Sequence, residues 1–135
     1  DDFGAFLLAT ARDRRLPVLN HHHHHDDEKA GTGACIVVSG KRDRAFITHR
    51  GVVETFEALP EKVFEPHANL RHVHVAGYYN CPKLQKNVPE LLRQARRTGA
   101  TSSIGVQSDA SGSWQDIGRA PLLSDDAAPD FLVLS

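Results

Sequence analysis

The chain has 135 residues, 40% hydrophobic and 24% charged, which bounds it to one globular domain or part of a larger one. A formal net charge of −1 sets up no global field for nucleic acid or an anionic membrane. No apolar run nears the ~20 residues that span a bilayer.

The opening DDFGAFLLATARDRR is acidic and then basic, the wrong order for a secretory leader. The two cysteines, Cys35 and Cys81, stand apart and build no disulfide framework, so a reducing, cytoplasmic setting is expected. Phe3, Phe6, Leu7, Thr10 and Ala11 recur at helical spacing, which predicts one apolar stripe on an early helix that Pro17 ends. Pro17–Asn20 reads as a short extended segment. His21–His25, followed by acids, is a low-complexity stretch: imidazoles bind zinc, nickel and copper, but a run of them on a loop lacks the fixed geometry of a built site. Ala34–Val38 and Arg44–His49 are strand-like runs joined by Ser39-Gly40-Lys41-Arg42-Asp43, a polar connection with glycine placed for a tight turn. The hairpin's Lys41, Arg42, Arg44 and Arg50 read as a solvated face that also discourages edge-to-edge aggregation.

Residues 54–66 read as a connection with one short helical turn. In Arg71–Gly77 the residues alternate, Val73 and Val75 on one face, His72 and His74 on the other. Those two histidines have ligand-like i, i+2 spacing, yet no acid or cysteine joins them, so they read as surface or half-buried residues. Asn87-Val88-Pro89-Glu90 predicts a helix start with Asn87 as its cap. Val88, Leu91, Leu92 and Ala95 mark that helix's buried face, and Gly99 sits where a C-terminal cap belongs. Thr101–Val106 is the next strand, Ser111–Leu123 a broken helix or loop around Trp114 and Ile117, and Asp130–Ser135 a last strand. No methionine occurs. A chain that opens inside a helical pattern and stops on a strand reads as a piece of a longer protein.

Strand, helix, strand, helical segment, strand predicts parallel strands joined by right-handed crossovers. The expected fold class is therefore α/β, a partial doubly wound parallel sheet with a small β-hairpin appendage. Its parts are residues 1–30 (helix and His/acidic loop), 31–58 (hairpin) and 59–135 (central βαβ portion). Function in such sheets collects at the carboxyl ends of the strands, here Gly77–Cys81, Gln107–Gly112 and Ser135. No serine sits in a G-x-S-x-G elbow, and Gly31-Thr32-Gly33 lacks the third glycine and following helix of a dinucleotide site.

The order of these pieces resembles the ribokinase-like (PfkB) family of carbohydrate kinases. Asp2-Phe3-Gly4 before an apolar helix is similar to the family's D-x-F-G segment. Thr32-Gly33, a strand, a turn and Arg44-Ala45-Phe46-Ile47-Thr48 up to Gly51 resemble its two lid strands. His74-Val75-Ala76-Gly77-Tyr78-Tyr79 and the helix ending Ala95–Thr101 resemble its central βαβ. Asp109–Trp114 and Asp130–Leu134 resemble the approach to its nucleotide-binding half.

The resemblance implies a phosphotransferase in which ATP, with magnesium, phosphorylates a hydroxyl of a sugar or nucleoside. Phosphoryl transfer needs mostly positioning and electrostatics. The family's G-A-G-D or G-T-G-D signature lies beyond Ser135; Gly31-Thr32-Gly33-Ala34 imitates its first three letters, but a strand follows. No catalytic residue is therefore expected within the chain, which alone would be inactive. What it would carry is the sugar-facing lid: Cys35 and Val37, two and four residues after the Thr-Gly pair, with His49 near the second lid strand's end and Tyr78 past the first central strand, as substrate-binding residues. Gly105 stands where many relatives have aspartate, and Ser135 where many have the asparagine of a nucleotide and magnesium motif. The resemblance also implies pairing of lid strands between subunits. The alternative reading is accordingly a catalytically inactive pseudokinase or a lid-mediated dimerisation or binding module.

Overall fold

The computed structural model describes residues 1–18, 31–65, 69–109, 111–114 and 126–134. They form two compact units, Asp1–Glu54 and Thr55–Ser135.

The first unit opens on helix α1, Asp2–Asp13, whose N-terminal amides are capped by Asp1: its carboxylate accepts from the Gly4 N–H at 2.7 Å. The same carboxylate accepts from the Thr32 hydroxyl at 2.8 Å and from the Thr32 N–H, tying the helix start to the approach of the hairpin. α1 ends before Pro17 through a left-handed turn at Arg15 (φ 54°), with the Leu16 N–H donating to the Ala11 carbonyl. Strands β1 (Ala34–Ser39) and β2 (Arg44–His49) pair antiparallel, with Ile36 opposite Ile47 and Val37 opposite Phe46. Gly40 closes the turn by donating to the Asp43 carbonyl at 2.8 Å, but its φ is not positive. The connection is a four-residue loop rather than the tight glycine turn expected, so no left-handed residue is needed there.

Glycine is required at the hairpin's base instead. A side chain on Gly33 would lie 2.8 Å from the Arg50 carbonyl oxygen, and one on Gly51 (φ 54°) would run into the Gly31 carbonyl oxygen. Two backbone segments cross there with no room for a Cβ. A 3₁₀ turn, Gly51–Glu54, follows. None of the unit's described residues is buried, and Phe3, Phe6, Leu7 and Leu8 of α1 are exposed. The helical stripe is present but uncovered among the described residues.

The second unit is a three-stranded parallel sheet in the order β3 (His72–Ala76), β4 (Thr101–Gly105), β5 (Phe131–Val133). The short α3 (Pro82–Gln85) and the longer α4 (Val88–Thr98) form the crossover from β3 to β4, and the short α2 (Pro60–Phe64) precedes β3. Val88, Leu91, Leu92 and Ala95 lie at i, i+3, i+4 and i+7, and all are buried against Val75, Ile104 and Val106 of the sheet side. Asn87 does not cap α4 through its side chain. α3 runs almost directly into α4, and the Asn87 backbone is already helical (φ −94°, ψ −15°) with its N–H on the Leu84 carbonyl. Gly99 closes α4 in the left-handed region at φ 79°, as its position in the sequence predicts. At the start of β5, Asp130 accepts from the Ser102 N–H at 2.7 Å and its hydroxyl at 3.0 Å, pinning β5 beside β4.

Candidate functional site

Cross-strand partners share a face, so the hairpin's register sorts its side chains into two sets. Cys35, Val37, Phe46 and Thr48 lie on one face, and Ala34, Ile36, Val38, Ala45, Ile47 and His49 on the other. On the first face the Thr48 hydroxyl donates to Cys35 Sγ at 3.3 Å, and the Arg44 guanidinium lies 5.5 Å from the centre of the Phe46 ring. Of the sequence-predicted residues, Cys35 and Val37 are thus together and exposed, whereas His49 stands on the opposite face.

In the second unit the carboxyl ends of the parallel strands carry the loops. Gly77 (φ 68°) turns the chain out of β3 into a 3₁₀ segment, Tyr78–Asn80, and donates to the Gly105 carbonyl at 2.9 Å. Tyr79 donates in turn to the Val106 carbonyl. Tyr78 belongs to the core, 3% exposed, and its ring meets Tyr79 edge-on at 5.2 Å. Tyr79 is half-buried and meets Trp114 edge-on at 5.5 Å. After β4, Gln107 (φ 62°) and Trp114 (φ 48°) both take left-handed backbone. Asp109 organises this loop: it accepts from the Ser111 N–H and hydroxyl, the Ser113 hydroxyl and the Trp114 N–H. The hydrogen bond from the Ser111 hydroxyl, with those from the two backbone amides, holds its carboxyl below the usual aspartate range. Tyr79, Gln107 and Asp109 lie in the strand-end stretches Gly77–Cys81 and Gln107–Gly112 where the sequence places function, but neither they nor Trp114 are among the sequence-predicted site residues. The clue was a lone tryptophan close behind an Asp-x-Ser-Gly turn at a strand's carboxyl end.

His72 and His74 share the sheet face not covered by α4. His72 meets the Thr101 and Ser103 hydroxyls at 2.8 Å each, and His74 meets Ser103 at 2.7 Å. A side chain at Gly105 would make ordinary 3.6 Å contacts with the His74 ring. Among the described residues no group of three or more His, Cys, Asp or Glu is placed to hold a metal ion. His21–His25 and Ser135 lie outside the described residues. No helix among the described residues is long and apolar enough to cross a membrane.

A sequence model of the pfkB family carbohydrate kinases matches residues 1–128, nearly the whole chain. Comparison with curated proteins and with solved structures finds no match. The matched span contains the glycine-based hairpin and the βαβ unit of β3, α4 and β4, whose two strands run parallel as the family resemblance implies; β5, parallel to β4, follows just beyond it. The chain belongs to the pfkB family of carbohydrate kinases.

Proposed function

We propose that this chain supplies the lid and part of the sugar cleft of a cytoplasmic carbohydrate kinase that transfers the γ-phosphoryl of magnesium-bound ATP to a sugar hydroxyl. The observation that carries this reading is the hairpin face of Cys35, Val37, Phe46 and Thr48, exposed along its length. Apolar groups with one hydroxyl and one thiol suit a cover that expels water from a sugar while leaving its polar recognition to other groups. In this reading Cys35 and Val37 meet the substrate. One ring cannot touch both faces of a single hairpin, so His49 belongs to the other surface. Tyr78, in the core, acts on the cleft by supporting Tyr79 from beneath. The catalytic base and the groups that hold ATP and magnesium are assigned to parts of the protein beyond this chain.

The test is sugar-dependent ADP release by the full-length protein. Val37→Asp should raise KM for the sugar by about ten-fold or more, the scale of one lost apolar contact, and leave KM for ATP alone. Unchanged kinetics for the sugar in a folded Val37→Asp protein would remove the lid assignment.

A second reading rests on the other face, where Ile36 and Ile47 are 64% and 63% exposed. Such a face suits pairing with a second copy of the hairpin, either within an active kinase or in a catalytically silent dimerisation module. Absence of turnover with every sugar, together with a dimer that Ile47→Lys dissociates in analytical ultracentrifugation, would favour the silent module.

A further inference from the structure

We propose that Trp114 is a sugar-contacting residue: its indole, presented at the carboxyl edge of the sheet, stacks on one face of the acceptor's carbohydrate ring. The proposal rests on the carbohydrate-kinase reading above and names a part of the cleft that lies wholly within the second unit. Three rings run in series from core to surface, Tyr78 buried, Tyr79 half-buried and Trp114 47% exposed, each meeting the next edge-on. The series gives the outermost ring a rigid backing, as a stacking platform needs.

The loop spends unusual resources to hold that ring. Gln107 and Trp114 are non-glycine residues in left-handed backbone, a strain that persists only where the surroundings impose it. At Trp114 Asp109 holds it, with its Trp114 N–H contact at 2.7 Å and its Ser111 N–H contact at 2.9 Å. Among the described residues of this loop the other exposed side chains are polar, Gln107, Ser108, Ser111 and Ser113, and Asn80 lies beside Gly77 at the neighbouring strand end. A protein partner would want a broader apolar patch. An exposed aromatic ring on a loop of amides and hydroxyls matches a sugar, whose ring has an apolar C–H face and a polar rim. A nucleobase, which also stacks, is an outcome the experiment separates.

Trp114 is the only tryptophan of these 135 residues. In the full-length protein, the emission difference between wild type and Trp114→Phe isolates its signal. Monosaccharides and adenosine are titrated separately without ATP, and steady-state kinetics are measured for wild type, Trp114→Phe and Trp114→Ala. The expected result is a saturable change in Trp114 emission with the phosphorylated sugar. Trp114→Ala should raise KM for that sugar about ten-fold, and Trp114→Phe should recover most of the loss. Emission that responds to adenosine and to no sugar overturns the proposal, as does an unchanged sugar KM in Trp114→Ala. Should Trp114→Ala fail to fold, the wild-type titration and Trp114→Phe decide. Sugar phosphorylation with a silent Trp114 overturns this inference and leaves the kinase reading standing. Absence of phosphorylation overturns the kinase reading, and the sugar titration then decides for Trp114 by itself.

Discussion

Single carboxylates do much of the local organising here. Asp130 takes the Ser102 N–H and hydroxyl, and these hydrogen bonds, the backbone one foremost, hold its carboxyl below the usual aspartate range. Asp109 is lowered likewise, first by the Ser111 hydroxyl. A carboxyl lowered in the folded state contributes stability above its unfolded pKa, about 3.9, and loses it as pH falls through the lower folded value. The thermal midpoint should therefore be insensitive to these two groups above about pH 5 and fall below about pH 4, the range set by that unfolded pKa. Asp130→Asn keeps an acceptor for the Ser102 N–H but removes the titration, so its melting curve should fall less steeply with acid. A wild-type midpoint that does not drop between pH 4 and pH 2, read by circular dichroism, would contradict this linkage. Glu90 is lowered chiefly by Arg93, which also pairs with Asp126 at 2.8 Å; these groups are exposed, so salt will screen them.

Among the elements, α4 was the most legible in sequence and the hairpin nearly as much. Val88, Leu91, Leu92 and Ala95 state a helix face outright, and Pro89 and Gly99 bracket it. Asn87 misled because its cap role assumes an extended residue before the helix, while α3 delivers a backbone already turned. α3 and the Tyr78–Asn80 turn are too short to show any period, so only the structure finds them. The early apolar stripe of α1 illustrates another limit. Periodicity says which side of a helix wants cover and nothing of whether cover is at hand. Two substitutions separate packing from backbone geometry in α4. Leu92→Ala, at a site 2% exposed, should cost about 2–5 kcal/mol through lost burial and a cavity. Gly99→Ala meets nothing within 4 Å, so its cost, about 1 kcal/mol, comes from the left-handed backbone alone. Urea unfolding measures both, and a Gly99→Ala loss equal to that of Leu92→Ala would refute the distinction.

For the whole chain, burial is distributed unevenly. Among the described residues every buried core side chain, from Phe64 to Ala127, lies in Thr55–Ser135, and those of Asp1–Glu54 include none. Amide exchange of the free chain should accordingly be slowest in β3, β4 and α4, and faster by about a hundred-fold or more in β1, β2 and α1, where opening exposes little new surface. Equal protection in the two sets of strands would show that the hairpin is stabilised by something other than its own pairing. The carboxyl-edge loops were legible as a place, through the parallel strand order, but their residues were not. Trp114 and Asp109 act through a turn that places residues five apart in contact, and no spacing rule announces it. The hairpin's double exposure has an evolutionary corollary. Outside the glycines at its root, the hairpin's side chains are exposed and build no buried core among the described residues, so the fold of the second unit places little demand on their identity. On the lid role proposed above, new substrate or subunit preferences can be tried on this flap with little risk of unfolding the rest.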